Sequence, residues 1–363
     1  MTKGRLIAKA LLEWFEYNRR ELPWREDRTA YGTWVSETML QQTRVTTVIP
    51  YFKRFLSLFP DIPSLAEAPQ QEVYKAWEGL GYYSRAGNLQ KGAIFCAAHF
   101  GGELPFDYQH LLSIPGIGPY TAGAIASLAF GLSEPAVDGN AIRVFSRLYA
   151  LFIYPQDTKA RNRVSELVRE MLPADQAGDF NEAVMDLGAS ICIPGNPSCS
   201  VCPLSAYCEA LLIGRQNDLP LRKPKKEIPV ILYTIAVLRK GSELFVRQRP
   251  DSGLLANLFE FPSYPGFLNP AELSEHLRRD YQISPDQIIS VTQLGGSSHT
   301  FSHVKWEMEG YLVEISDDKK ISLPLFFSEK PAQGDFYPVM MVQKQAFPSA
   351  LKAYTSVVFQ TRS

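Results

Sequence analysis

The sequence predicts an α + (α+β) chain: an all-helical domain over residues 1–215, a basic linker over 216–229, and a smaller α+β domain over 230–363. Two observations carry that prediction. Apolar residues recur at helical spacing through the first part, and beyond Pro229 the period drops to two, as where Val304, Trp306 and Met308 alternate with Lys305, Glu307 and Glu309. Between the two regimes lies QNDLPLRKPKKEIP, stiffened by three prolines and carrying Arg222, Lys223, Lys225 and Lys226. This is the one basic run of the chain, and it reads equally as a solvated tether or as a strap that follows phosphates.

Composition narrows the function classes. At 363 residues with 45% hydrophobic content, the chain can bury two or three cores. No apolar run reaches the roughly 18 residues that span a membrane, and MTKGRLIAK leads into an amphipathic helix without a signal-peptide core. A cytoplasmic monomer with no membrane attachment is the expectation. Net charge is −1, from 37 basic and 38 acidic residues, so a nucleic-acid partner would need local positive charge and backbone N–H groups. Four of the five cysteines fall between Cys192 and Cys208, a pattern of metal ligation more than of disulfides.

In chain order, Leu6, Leu11, Leu12, Trp14 and Phe15 mark a first helix, and a polar loop from Glu21 to Arg28 contains LPWR. The helix that follows from Tyr31 is expected to stop or bend at Pro50. Glu37 shares a face with Trp34 and Leu40, where a carboxylate resists ionisation; the alternative is a side chain reaching solvent or Arg44. The adjoining Gln41, Gln42 and Thr43 face either a ligand or water. From Glu72 to Ala98 the pattern is helix, tight turn, helix. In the turn, Gly79, Leu80 and Gly81 precede Tyr82, Tyr83 and Arg85, a composition suited to bases and phosphates and equally to core packing.

The stretch from Leu111 to Asn140 organises the first domain. Pro115, Gly116 and Gly118 make a hairpin that feeds a helix of small residues from Thr121 to Phe130. Glycines there allow positive φ and leave N–H groups that can hold an anion, although an ordinary helix–helix turn has the same composition. Asp138, before Gly139 and Asn140, either caps the next helix or faces a reaction centre. Helices are expected near 139–152, 158–172 and 178–191. In the last, Phe180, Val184, Leu187 and Ile191 form a stripe from which Glu182 is excluded, leaving it solvated or turned into a cleft. The cysteines read C-x6-C-x2-C-x5-C, a spacing that holds one tetrahedral zinc or a cubane iron–sulfur cluster. In the second domain VILYTIAVLRK, SELFVRQRP, NLFEFP and HVKWEMEGYLVEI read as strands, with helices near 270–281 and 346–358.

IPGIGPY followed by VDGN resembles the helix-hairpin-helix, Gly-Pro, Asp element of the DNA glycosylase superfamily, over roughly residues 1–215. With WVSETMLQQT, GLGYYSR, the four cysteines and a carboxy-terminal SHTFSH, the whole chain resembles the MutY-type adenine DNA glycosylases. Phe259 to Pro262 resembles the Nudix fold where its catalytic box would begin, but LRRDYQI lacks the glutamates that would hold magnesium, which implies binding without hydrolysis. The resemblance implies a two-lobed helical domain whose Cys192, Cys199, Cys202 and Cys208 carry a 4Fe-4S cluster. It implies double-stranded DNA with an A:8-oxoguanine mispair as partner. Glu37 would protonate adenine, Asp138 would stabilise the sugar cation, and Tyr120 and Asn140 would orient the two carboxyls. Trp24, Arg25, Leu40 and Glu182 would line the adenine pocket.

By the same resemblance Gln42 and Tyr82 would fill or wedge the gap in the duplex, Thr43, Leu80 and Gly81 would bind DNA beside them, Gly116 and Gly118 would hold a phosphate, and Phe301, Ser302 and His303 would read the 8-oxoguanine. Tyr120 stands where bifunctional relatives carry a Schiff-base lysine, so base removal without strand cleavage is expected. Two other readings stay open on the residues: an endonuclease-III-like enzyme for oxidised pyrimidines, and a noncatalytic iron–sulfur protein that binds damaged DNA.

Overall fold

The computed structural model describes residues 2–224, 227–316 and 334–360. Lys225 and Lys226 of the basic linker, and 317–333 and 361–363 of the expected second domain, lie outside the described residues. By internal packing the chain forms two units, residues 2–67 with 88–224 and residues 68–87 with 227–360.

The first unit is helical. Ile7, Leu11 and Phe15 of helix Lys3–Asn18 meet Val144 and Phe145 of helix Gly139–Leu148, Val164 and Leu167 of helix Thr158–Met171, and Phe180 and Val184 of helix Ala177–Ser190 in one buried cluster. Each buried aromatic or aliphatic side chain of this kind stabilises by about 1.5–3 kcal/mol. These helices lie within a few residues of their expected bounds. The helix from Tyr31 does not. It forms as two, Ala30–Leu40 and Val45–Leu58, and Pro50 sits inside the second. The break comes earlier, where Gln42 takes a φ of 59° and Arg44 is extended, while Pro50 costs its helix only the bond it would have donated one turn back.

In the second unit, helix Gln70–Trp77 accompanies a mixed sheet of β1 (Val230–Lys240), β2 (Glu243–Gln248), β3 (Phe259–Glu260), β4 (Ser263–Pro265), β5 (Ile288–Thr300), β6 (Lys305–Ile315) and β7 (Gly334–Pro338). The central order is β3-β2-β1-β6-β5, with β4 on β1 and β7 on β2. β1 runs parallel to β6 and antiparallel to β2 and β4. Alternate β1 residues serve opposite faces: Ile235 and Val237 pack with Tyr354 and Val358 of helix Lys352–Gln360, Ala236 and Leu238 with Leu273 and Leu277 of helix Pro270–Tyr281. The latter helix has its expected bounds because Asn269 and Glu272 form a capping box and Pro270 occupies its first turn. The helix expected from 346 begins only at Lys352, after a 3-10 turn at Ser349–Leu351, because Pro348 excludes the residue before it from helical geometry. Strand β5 escaped the sequence reading because most of its residues are at least partly exposed and Gly295 and Gly296 interrupt its pattern. Among the described residues no helix is long and apolar enough to cross a membrane.

Candidate active site

Glu37 lies on helix Ala30–Leu40 between buried neighbours and is only 5% exposed. The Tyr120 hydroxyl donates a hydrogen bond to its Oε2. Burial pushes the Glu37 carboxyl up to about 7; the Tyr120 bond opposes that rise, and the negative fields of Asp138 and Glu182 add to it. Among the described residues it makes no ion pair with Arg44, and it does not reach solvent. Tyr120, in helix Pro119–Ala124, is itself raised well above the ordinary phenol value by burial and by Glu37, so it stays a donor. The hairpin that delivers it needs Gly116, whose φ is 85° and whose added Cβ would sit 2.8 Å from Asn88 Cβ. Gly118 occupies the N-cap position with no side-chain bond to the helix it opens.

Asp138 caps helix Gly139–Leu148, accepting the Ala141 N–H at 2.7 Å with Oδ1 and the Asn140 side-chain amide at 2.7 Å with Oδ2. Burial raises its carboxyl, and those two donors pull it back down. Asn140 is held in turn: Arg143 Nη2 donates to its Oδ1 (2.8 Å) and to the Gly188 carbonyl (2.7 Å), and Arg143 Nε to the Cys192 carbonyl (2.8 Å). The close approach of Gly188 to Asn140 requires glycine, since a Cβ there would lie 2.6 Å from Asn140 Cβ.

Beside these lies a buried ion-pair group. Glu182 is 3% exposed, which settles its placement against a solvated face. Its Oε1 accepts from Arg25 Nε (3.0 Å) and Arg28 Nη2 (2.7 Å), while its Oε2 has no hydrogen-bond partner and lies 3.6 Å from Arg19 Nη2. Arg25 also donates to Asp186, at 2.8 and 3.2 Å, and Arg20 Nε does so at 2.8 Å. Burial alone would lower the Arg25 guanidinium, but Asp186 and Glu182 raise it, so it is a fixed cation. Trp24 is buried edge-on to Phe52 at 5.4 Å, and Leu40 is half-buried at its helix end. Gln42 is exposed in the break after Leu40, and the Thr43 N–H bonds the Leu40 carbonyl at 3.2 Å.

The remaining predicted DNA-contact positions belong to the second unit. Leu80 is buried, Gly81 takes a φ of 73°, and the paired tyrosines divide: Tyr83 is 5% exposed and Tyr82 47%, with φ 48°. Phe301, Ser302 and His303 form the turn between β5 and β6, closed by the Phe301 N–H on the Val304 carbonyl at 2.8 Å. Phe301 rests edge-on against Trp306 at 4.9 Å, leaving Ser302 and His303 exposed.

The four cysteines are free thiols in one loop that packs on the first unit's core. Burial pushes Cys202 up to about 11, and Cys192, Cys208 and Cys199 each add to the rise, so the four share one another's field. Arg147 Nη1 donates to Cys192 Sγ at 3.2 Å, and the Cys208 thiol donates to the Arg147 carbonyl at 3.4 Å. A donor set of four thiols beside a guanidinium suits an anionic thiolate-bound metal group. Among the described residues no group of three or more His, Cys, Asp or Glu is arranged to hold a single metal ion.

Comparison with known proteins bears on this geometry. Residues 35–170 match the HhH-GPD superfamily of base excision DNA repair proteins, and residues 233–356 match the NUDIX domain. The adenine DNA glycosylase of Mus musculus is 36% identical over 370 residues, covering 86% of this chain and 72% of the relative. That of Buchnera aphidicola subsp. Schizaphis graminum (strain Sg) is 34% identical over 312 residues, covering 86% of this chain and 88% of the relative. The chain belongs to the adenine DNA glycosylase family.

Among solved structures, a thermostable thymine-DNA glycosylase matches with a TM-score of 0.54 and 29% identity over 58% of this chain and 97% of that one. An endonuclease III–DNA complex, at 23% identity and a TM-score of 0.51, shares the fold. Against this adenine DNA glycosylase fold, sequence reasoning missed Arg28, Asp186, Arg143 and Asn181. Asn181 ties the π-helical turn Ile125–Ala129 to helix Ala177–Ser190, donating to Ser127 Oγ at 2.8 Å, and Arg28 Nη1 takes the Leu128 carbonyl of that turn at 3.1 Å. The available signal was Glu182 and Asp186 four apart on one helix, and a preceding segment dense in arginine at Arg19, Arg20, Arg25 and Arg28.

Proposed function

We propose that this adenine DNA glycosylase removes adenine mispaired with 8-oxoguanine in base excision repair, and that it acts as a monofunctional hydrolase of the N-glycosidic bond. What carries the reading is the pair of acids: a buried Glu37 whose carboxyl is held near neutrality, in the field of an Asp138 carboxylate fed by two N–H donors. Adenine leaves poorly as an anion. Glu37 passes its proton to ring nitrogen N7 of the extruded base, the C1′–N9 bond breaks with its electron pair going to the purine, and neutral adenine departs. Asp138 faces the oxocarbenium ion left on the sugar until water adds at C1′. Tyr120 keeps Glu37 oriented and Asn140 does the same for Asp138.

Trp24, Arg25, Leu40 and Glu182 form the base pocket in this reading. Gln42 and Tyr82 fill the vacated stack, Thr43, Leu80 and Gly81 belong to the DNA-contacting segments beside them, the amides at Gly116 and Gly118 hold a phosphate, and Phe301, Ser302 and His303 read the opposite base. The exposed Tyr82 ring supports its part. The experiment is incubation of a duplex carrying A opposite 8-oxoguanine with the protein, followed by alkali. Strand breaks only after alkali are expected; breaks without alkali reject the monofunctional mechanism, and intact DNA after alkali rejects the activity.

The pH dependence follows from the sign of the Glu37 shift. The acid is protonated below its folded value of about 7, so excision is expected to fall about tenfold per pH unit above it. On the acid side the rate falls again as Asp138 takes up a proton. A profile still rising well above neutrality would remove Glu37 as the proton source. The same shift makes the fold lose stability as pH rises from the ordinary carboxyl range through about 7, because the native state must then bury a charge.

Cys192, Cys199, Cys202 and Cys208 would hold a 4Fe-4S cluster, with Arg147 balancing its charge from helix Gly139–Leu148. Its contribution would be structural: ligation by the four thiolates would tie down the loop whose Cys192 carbonyl accepts from Arg143. Purified protein is expected to be coloured by a broad visible absorption that Cys202→Ser removes together with several degrees of melting temperature. A colourless protein whose four thiols bind one zinc would reject the cluster.

A further inference from the structure

Within the second unit, one buried residue is gripped from both sides of the Tyr82 loop. Glu78 Oε1 accepts the Phe347 N–H at 3.1 Å, and the Tyr83 hydroxyl donates to the Phe347 carbonyl at 3.1 Å. Both main-chain polar groups of Phe347 are thus bonded by the side chains that bracket residues 79–82. Lys75 reinforces the grip by donating to the Gln345 carbonyl at 3.1 Å and pairing with Glu78 Oε2 at 2.7 Å. Gln71 adds a bond to the Asn257 carbonyl at 2.8 Å.

The loop has little freedom of its own. Trp77 Nε1 and Arg85 Nη2 both donate to the Gly81 carbonyl, at 3.2 and 3.1 Å, and Arg85 also reaches the Leu80 carbonyl at 3.3 Å. Gly79, Gly81 and Tyr82 take φ values of 103°, 73° and 48°. A loop with three left-handed residues and its carbonyls already bonded moves as a piece with whatever holds its ends. Its ends are held by Phe347. That residue's ring packs on Phe261 at 5.3 Å in the same core cluster as Trp306, on which Phe301 rests.

We propose that Glu78 and Tyr83 are positioning residues: through Phe347 they make the Tyr82 loop follow the Phe301–Ser302–His303 turn, so that filling the gap left by the flipped base answers to the identity of the opposite base. The inference rests on the roles given above to Tyr82 and to that turn. The discriminating quantity is the ratio of single-turnover excision rates on duplexes with A opposite 8-oxoguanine and A opposite G, measured with the full chain.

In Tyr83→Phe combined with Glu78→Ala, the ratio is expected to shrink about tenfold, chiefly through slower reaction opposite 8-oxoguanine. Phe301→Ala should shrink it too, and adding it to the pair should produce little further change, since both lesions cut one connection. A ratio unchanged in the pair overturns the proposal, including the case where both rates fall alike from loosened packing. So does a loss that multiplies fully with that of Phe301→Ala. Equal rates of the unaltered protein on the two duplexes would instead remove the reading of the 301–303 turn, and this inference with it.

Discussion

Replacing Glu37 by glutamine is expected to leave the duplex bound and the adenine in place, with excision slowed on the order of 10² to 10⁴-fold. Glutamine keeps the length and one side-chain oxygen that can turn to accept from Tyr120, so the local packing survives, but it has no proton to give at any pH near neutrality. Two further readings separate this from a folding defect. The alkaline fall in rate should vanish, because the titrating group is gone. The variant should also be more stable than the parent above about pH 7, where the parent must carry a buried charge. Excision at the parental rate would eliminate Glu37 as the acid and with it the mechanism.

Asp138→Asn is expected to slow excision by about 10² to 10³-fold while sparing both stability and binding. Asparagine caps a helix about as well as aspartate, so the Ala141 N–H keeps an acceptor and helix Gly139–Leu148 keeps its start. What disappears is the negative charge. The new amide has one oxygen, which stays with the Ala141 N–H, and its NH2 replaces the oxygen that accepted from Asn140, so the rate loss reports the lost charge together with that single lost hydrogen bond. A variant within a few-fold of the parent, measured in single turnover on an A opposite 8-oxoguanine duplex, would show that the sugar cation is stabilised elsewhere.

Much of the architecture was legible because it rests on local signals. The change in apolar period after Pro229 marks where strands begin, and the Asn269, Pro270, Glu272 start gives a helix its bounds to the residue. What was not legible depends on pairing across the chain. Strand β5 is defined by its hydrogen bonds to β6, and its own sequence of exposed residues and glycines has no alternation to read. Pro50 misled because its rule describes the bond it cannot make, whereas the real break follows from Gln42, a residue type with no strong preference for positive φ. In the candidate site, the apolar face around Glu37 is visible in sequence, but its partner Tyr120 is 83 positions away and enters only through the family resemblance. Glu182 was harder still. Its burial is explained by arginines from another segment, and no spacing rule on its own helix would draw a carboxylate inward without them.

The placement of β5 at the end of the sheet bears on how the protein survives at high concentration. Among the described residues this strand has β6 on one side only. An open row of amides and carbonyls over 13 residues is a template on which a second molecule could build fibrils. Two slips in its alignment with β6, at Ile288/Ser290 and at Gln293/Gly295, together with a left-handed Gly295, bend that row so that no long flat run is offered. The irregularities therefore act as a guard against self-association, and straightening them, for instance by Gly295→Val, should trade solubility for a more regular strand.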